Sequence, residues 1–489
     1  MGEDAVNNHA MHWIDGKWCP FGDKGSARGD CIDPASGEKV GTFAEGGLAD
    51  AEAAIAAARR AFDDGGWSHA PRVRSQVLLD FADRLAARRK EIEVQLTRVN
   101  GKLLRESAGE LSASISELRY YSGLARNLFG RCVEPDDGCM SLLTREPAGL
   151  AGIIVPWNAP ITLLVRSLAP ALAAGCTAVV KSAHQTSLAT NLVIKCLAEV
   201  PGLPPGAVNF ITESGSAVSE ALVRSADVEV VSFTGSRAVG KKIMAAAAGT
   251  LKRLSLELGG KSPSIVFPDC DRTKAVATLV AAATVMAGQM CTAATRVLVH
   301  ESVADAFRHD LAAALGSVIV GPGNDAASQM GPMIDRRSRD RIVRLVDEAA
   351  ARGKLLLRGR VPDGKLGAGA FITPSLIEIR DLASPLIQEE IFGPVLVLET
   401  FDDEAEAVAR ANATRYGLAA SLWTRDHARA HRMARALMAG TVWINTYNRL
   451  FPEAETGGYR ESGFGRLHGV EGLNDFLQTK HVYFETNKA

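Results

Sequence analysis

Three side chains in this sequence are suited to chemistry at a carbonyl carbon, and each sits among small residues that let other groups come close. Asn158 lies in VPWNAP, between an apolar run and a helical pattern. That places it near the carboxyl end of a strand, where open α/β sheets bind ligands, and its amide can donate to a developing oxyanion. The same position also suits a helix N-cap, a role asparagine fills readily. Cys291 lies in MAGQMCTAATRV, with Gly288 allowing close backbone approach and Thr292 following the sulfur. A free thiol with a pKa near ~8.5 is only about 3% thiolate at pH 7, so a nucleophile here needs a base or dipole beside it. Free cysteine is also among the most buried residue types, which leaves a structural thiol as the alternative. Glu257 lies in LELGGKSPSIVF, at the end of an apolar run and just ahead of two glycines. A carboxylate there activates water if its surroundings raise its pKa towards neutrality; otherwise it pairs with Lys261.

These positions need a scaffold, and the surrounding pattern supplies one. Between about residues 150 and 270, the short apolar runs GLAGIIVPW, GCTAVVKSA, GAVNFIT, VEVVSFTGS, RLSLEL and PSIVF alternate with helical stretches such as SLATNLVIKCLAEV. Alternation of this kind predicts βαβ units, and continuously apolar strands predict a sheet covered on both faces. A doubly wound α/β sheet follows. Upstream, LADAEAAIAAARRAFDD and SQVLLDFADRLAARRKEIEVQLTRV carry the three- and four-residue apolar spacing of helices that flank it. A second α/β series starts near Asp271 and includes DRIVRLVDEAAARG and PVLVLETF. No repeat or Pro/Ser linker separates the two, so a shared interface and an active site in the cleft between them are expected.

Composition narrows the partners. A chain of 489 residues exceeds the ~250 to 300 at which one core stops growing. With 47% hydrophobic and 23% charged residues it reads as globular, and a net charge of -1 with interspersed signs leaves no basic field for nucleic acid. No window approaches the ~18 apolar residues of a membrane span, and the polar start MGEDAVNNHAMHW is unlike a signal peptide, so the expected compartment is cytoplasmic. The eight cysteines show no CxxC or Cys/His spacing, which predicts reduced thiols and no metal site.

Taken in order, VPWN, FTGS, LELGGK, GQ-x-C, EEIFGPV, YGLAA, GTVWIN and GGY-x-x-SGFGR resemble the NAD(P)-dependent aldehyde dehydrogenase superfamily, of the hydrolytic, non-CoA-acylating type. The match runs from about Asp15 to His481. It implies an α/β fold with two doubly wound α/β domains plus a small oligomerisation element. On that basis residues 1–128 and 148–258 form the dinucleotide-binding domain, 259–465 the catalytic domain, and 129–147 with 466–489 the oligomerisation segments of a homodimer or homotetramer. By resemblance, Cys291 is the nucleophile, Asn158 and the Cys291 backbone NH form the oxyanion hole, and Glu257 is the base that hydrolyses a thioester. Relatives that transfer the acyl group to coenzyme A usually lack that glutamate. The resemblance also assigns NAD or NADP binding to Trp157, Lys181, His184, Gly235, Ser236, Gly240, Leu258, Glu390 and Phe392, and implies a small-molecule aldehyde as substrate.

Two other readings compete. GSRAVGKK, at residues 235–242, is one residue away from GxxxxGK[ST], but Lys242 stands where a hydroxyl should hold Mg²⁺, which disfavours a nucleotide hydrolase. A catalytically silent member of the fold is the second alternative, opposed by Cys291, Glu257 and Asn158 occurring together. The chain also departs from the family: His184 stands where most relatives have glutamate, Glu455 and Thr456 where many have Pro-Phe, and Leu467 where glutamate is common. Substrate contacts are expected around residues 117–126, Met290 and 447–451, with Arg449 as a candidate for recognising an acidic group.

Overall fold

The computed structural model describes residues 8–19, 28–350 and 353–485; residues 1–7 of the expected dinucleotide domain and 486–489 of the expected C-terminal segment, Thr486 among them, lie outside these. An eight-stranded sheet carries Glu257 at the end of one strand and leads to Asn158 four residues beyond another. Its five parallel strands lie in the spatial order Arg253–Glu257, Val230–Thr234, Leu150–Ile154, Thr177–Ala183, Val208–Glu213. The chain therefore runs outward from Leu150–Ile154 in one direction and later returns to build in the other. Strand order reverses between Leu150–Ile154 and Val230–Thr234, and a ligand crevice opens beyond the carboxyl ends of two such strands.

The strand Leu150–Ile154 is buried along its whole length, as the continuous apolar pattern requires of a sheet covered on both faces. Helix Leu48–Asp63 covers one face with Ala51, Ala54, Ile55 and Ala58, a three- and four-residue spacing that makes one apolar stripe. Helix Pro160–Ala174 lies on the other face, and every residue of it except Thr162 is buried. Helices Pro71–Ala87 and Leu104–Leu124 enclose it in one large core.

The second sheet has seven strands in the order Lys354–Leu357, Ser375–Glu378, Val395–Phe401, Arg296–His300, Pro263–Val266, Ala419–Trp423, Thr441–Ile444, parallel except at the first pair. Its centre contains an ion pair, Arg296 donating to both oxygens of Glu399 at 2.6 and 3.0 Å with neither side chain exposed. The short strand Gly463–Phe464, although within 259–465, pairs with Leu256 and Glu257 at the edge of the first sheet. A separate antiparallel sheet joins Arg131–Val133, Cys139–Pro147 and Leu477–Glu485. No helix among the described residues is long and apolar enough to cross a membrane.

Candidate active site

Asn158 follows the strand Leu150–Ile154 by four residues, but it does not cap the next helix. Ala159 occupies the N-cap of Pro160–Ala174. The Asn158 amide instead donates to the Gln289 carbonyl at 3.2 Å, reaching across to the loop that carries Cys291. Its own carbonyl accepts from Lys102 Nζ at 2.8 Å, so backbone and side chain are both held.

The Cys291 loop is strained and heavily pinned. Met286 and Ala287 adopt φ of 47° and 54°, left-handed values that cost roughly 1–2 kcal/mol each for residues with a Cβ. Gly288 follows at φ +70°, and a Cβ there would sit 2.4 Å from the Gly393 carbonyl oxygen. The loop keeps this shape because Met286 N donates to Glu106 at 2.8 Å, Ile334 N donates to Gln289 Oε1 at 2.9 Å, and the Tyr447 hydroxyl donates to the Thr292 carbonyl at 2.8 Å. Thr292 Oγ1 donates to Asn448 at 2.9 Å. Burial pushes the Cys291 thiol up to about 11, against the Arg166 charge and a Thr292 backbone hydrogen bond, which lower it.

Glu257 ends the strand Arg253–Glu257 and is 6% exposed. It does not pair with Lys261: Glu257 Oε1 and Lys261 Nζ are both without a hydrogen-bond partner. Burial raises the Glu257 carboxyl to about 7, Arg166 and Arg466 opposing the shift. A carboxylate of that basicity, with a free oxygen, can take a proton from water at neutral pH.

All three residues line one cavity of about 580 Å³, with Met290, Asn448, Leu450 and Phe451 on its wall. Of the positions that depart from the family, Thr456 also lines it, and Leu467 braces Thr456 by paired backbone hydrogen bonds of 2.9 Å. Arg449 is exposed and is not among the lining residues, which corrects its expected place in the channel wall. Its neighbours turn inward while its own carbonyl accepts from Trp443 Nε1 at 2.9 Å.

A second groove runs along the switch point of the first sheet. Trp157, Lys181, His184, Gly235, Phe233 and Val239 line it. Gly235 begins the turn, and a Cβ there would meet the Phe233 ring at 2.5 Å. Ser236 caps helix Arg237–Ala247 by accepting from Val239 N at 3.4 Å, and Gly240 lies against Leu258, a Cβ there coming within 2.6 Å of its side chain. Lys241, the position of the P-loop lysine, pairs with Glu461 at 2.9 Å instead of facing that turn. The groove continues past Trp157 and Gln185 to Arg341. Phe392, at φ 53°, sets its ring edge-on to Trp157 with centroids 5.6 Å apart. Glu390 lies beneath Gly259, where a Cβ would come within 2.2 Å of its carboxylate, and burial raises it to about 7 against Lys261 and Arg341. His184 is half-buried, its ring 5.5 Å from Phe43, and burial lowers its pKa.

Four residues at this site have no counterpart in the sequence reading. Lys102 and Glu110 form a buried ion pair, Glu110 also accepting from Ile161 N at 2.7 Å, and Glu106 supports the cysteine loop. The fourth, Arg166, lines the main cavity. A charge inside the apolar run ITLLVRSLAPALAA was a readable signal, because charged residues are seldom buried without a partner.

Residues 21–482 match the family described as the aldehyde dehydrogenase family. The chain is 39% identical to a betaine aldehyde dehydrogenase of Bacillus subtilis over 98% of both proteins. It is 38% identical to a phenylacetaldehyde dehydrogenase of Pseudomonas fluorescens over 92% of this chain and 91% of that one. A crystal structure of a betaine aldehyde dehydrogenase point mutant from Staphylococcus aureus, with NAD+ and a mercaptoethanol-modified cysteine, superposes with a TM-score of 0.95 at 37% identity over 98% of each chain.

Proposed function

The chain belongs to the aldehyde dehydrogenase family and is an NAD(P)-dependent oxidoreductase that converts an aldehyde to a carboxylic acid; from that premise we propose how its residues divide the work. Cys291, its thiol proton passed to solvent in the open cavity, attacks the aldehyde carbon as thiolate, and the Asn158 amide with the Cys291 backbone NH stabilises the oxyanion of the resulting thiohemiacetal. Bound in the switch-point groove, the oxidised nicotinamide supplies the acceptor for the hydride that leaves this carbon. Glu257 then takes a proton from water, whose oxygen displaces Cys291 from the thioester and releases the acid. The observation that carries this reading is the meeting of all three residues on one cavity, with the Glu257 carboxyl raised to about 7 and one oxygen unpartnered.

The groove suits a dinucleotide for reasons of its own. It lies where strand order reverses, it ends at the N-terminus of an eleven-residue helix, and Gly235 leaves room that a side chain would fill. Lys181 and His184 would hold the adenosine ribose, Gly235, Ser236 and Gly240 the pyrophosphate turn, and Glu390, Phe392, Trp157 and Leu258 the nicotinamide end. Residues 1–128 and 148–258 would form the dinucleotide domain, 259–465 the catalytic domain, and 129–147 with 466–489 the contacts of a cytoplasmic homodimer or homotetramer.

Betaine aldehyde is not carried over as substrate, because among the described residues the cavity wall offers Phe451 and the His468 imidazole as its aromatic rings, fewer than a cage for a quaternary ammonium ion needs. The test of the proposal is NADH or NADPH formation over a panel of aldehydes. Cys291→Ala should lower kcat at least about 10³-fold with every aldehyde while dinucleotide binding persists. Turnover close to wild type would refute the assignment of the nucleophile.

A further inference from the structure

Arg166 sits in the middle of the buried helix Pro160–Ala174 and is 7% exposed, yet its Nε and Nη2 have no hydrogen-bond partner. A guanidinium carries its charge throughout, and buried guanidinium nitrogens left without partners are costly. Such a group needs an anion. The carboxylates that share its cavity are engaged elsewhere. Glu110 is held by Lys102 and by the amides of Ile161 and Thr162, and Glu106 accepts from Leu103 N and Met286 N. Glu117 is paired with His468 at 2.9 Å. Glu257 remains, and it makes no ion pair with Arg166 among the described residues; its role as a base also requires an oxygen left free for water.

We propose that Arg166 is the specificity-determining residue of the substrate cavity, and that the preferred aldehyde carries a carboxylate at its far end, as a short ω-oxo acid does. The proposal rests on Cys291 being the nucleophile. Arg166 and Cys291 line the same cavity of about 580 Å³, as do the apolar side chains of Leu163, Met286 and Met290, so a short carbon chain would have apolar surface to lie on and polar groups for its two ends. The Arg166 charge reaches both reacting residues, since it opposes the burial shifts of Cys291 and Glu257. An anionic substrate that neutralised this charge would leave Glu257 more basic at the moment water must be deprotonated.

The rival role for Arg166 is general electrostatic support of the thiolate, which would serve every aldehyde equally. Succinic semialdehyde, butanal and a quaternary-ammonium aldehyde, compared in wild type, Arg166→Lys and Arg166→Met, separate the two. Wild type should favour the acid over butanal in kcat/KM by roughly tenfold to a hundredfold, the range of a charge-assisted hydrogen bond. Arg166→Met should erase that ratio mainly through KM for the acid, on top of any fall in kcat that the lost charge imposes on both substrates alike; Arg166→Lys should restore part of it. An unchanged ratio, or an equal fall for all substrates, overturns the proposal.

A second readout needs no turnover. The rate at which iodoacetate modifies Cys291, relative to neutral iodoacetamide, should be higher in wild type than in Arg166→Met by a similar factor, and an equal ratio would again overturn it. If none of the three aldehydes is oxidised, the oxidoreductase reading is what fails, and the alkylation ratio still decides the anion site. If Arg166→Met does not fold, wild-type Cys291 should be protected from iodoacetamide by glutarate and not by glutaramide; equal protection counts against Arg166.

Discussion

At the scale of single residues, the chemistry depends on what burial does to ionisable groups. The Glu257 carboxyl, raised to about 7, is protonated below that pH and is a base above it. The rate of thioester hydrolysis should therefore rise through pH ~7 and level off above it, and a flat single-turnover profile between pH 5.5 and 8.5 would remove Glu257 from the step. Glu257→Gln should release about one NADH per site in a burst and then turn over at least about 10²-fold more slowly. Loss of the burst would place Glu257 earlier, in deprotonating Cys291, whose thiol burial has pushed to about 11. His184 makes a second residue-scale prediction. Glutamate at this position would repel a 2′-phosphate, whereas the His184 ring is held neutral by burial and sits within the fields of Lys181, Glu45 and Asp335. His184→Glu should lower the kcat/KM ratio of NADP+ to NAD+ by about tenfold, one charge–charge contact at a partly buried site. Because burial lowers the histidine pKa, any gain in NADP+ use should appear only towards acidic pH. An unchanged ratio would show that His184 does not set cofactor choice.

At the scale of elements, the site is two loops braced by one helix. Helix Leu104–Leu124 presents Glu106 to the cysteine loop and Glu110 to the start of helix Pro160–Ala174, while Lys102, just ahead of it, holds the Asn158 carbonyl. Nucleophile and oxyanion donor thus share one support. Gly288→Ala should break the arrangement, because the new Cβ would demand a left-handed φ and displace the Gly393 carbonyl. The expected cost is about 1–3 kcal/mol, with a lower Tm and slower Cys291 alkylation, and an unchanged alkylation rate would mean the loop absorbs the methyl without moving the thiol. The strands and reactive residues were legible because apolar runs and glycine turns are local signals, as in LAGII before Asn158. This brace was not. Lys102 and Glu106 meet their partners through contacts of high sequence separation, Glu106 to Met286 being one, and nothing in GKLLRESAGE marks them as buried. The pairing of Glu257 with Lys261 failed for the converse reason: a four-residue spacing puts two side chains on one face only along a continuous strand, and this strand stops at Glu257, ahead of Gly259 and Gly260.

At the scale of the whole molecule, what remains exposed is informative. The sheet formed by Arg131–Val133, Cys139–Pro147 and Leu477–Glu485 shares no strand pairing with the other three sheets, and Leu477–Glu485 is one edge of it, nine residues long. Val133, Tyr483 and Phe484 are 45%, 50% and 44% exposed. A long edge strand carrying exposed aromatic residues offers a row of unpaired backbone groups and apolar surface to another chain. Lys480 does not blunt this edge, since it pairs back to Glu146 within the sheet at 2.7 Å. Adjacent residues of a strand face opposite sides, so Tyr483 and Phe484 leave apolar surface on both faces. The proposed homo-oligomer would cover it. Tyr483→Asp with Phe484→Asp would place two charges in that contact, each desolvated on association, and should weaken assembly by at least about 10²-fold in dissociation constant. Sedimentation of the wild type should give a dimer or tetramer, and the double variant should shift to a smaller species at micromolar concentration with its circular dichroism unchanged. The reactive residues and the cofactor groove are carried by the two large sheets and the loops and helix beside them, so the smaller species should still bind dinucleotide. A double variant that sediments as the wild type does would take this strand out of the interface.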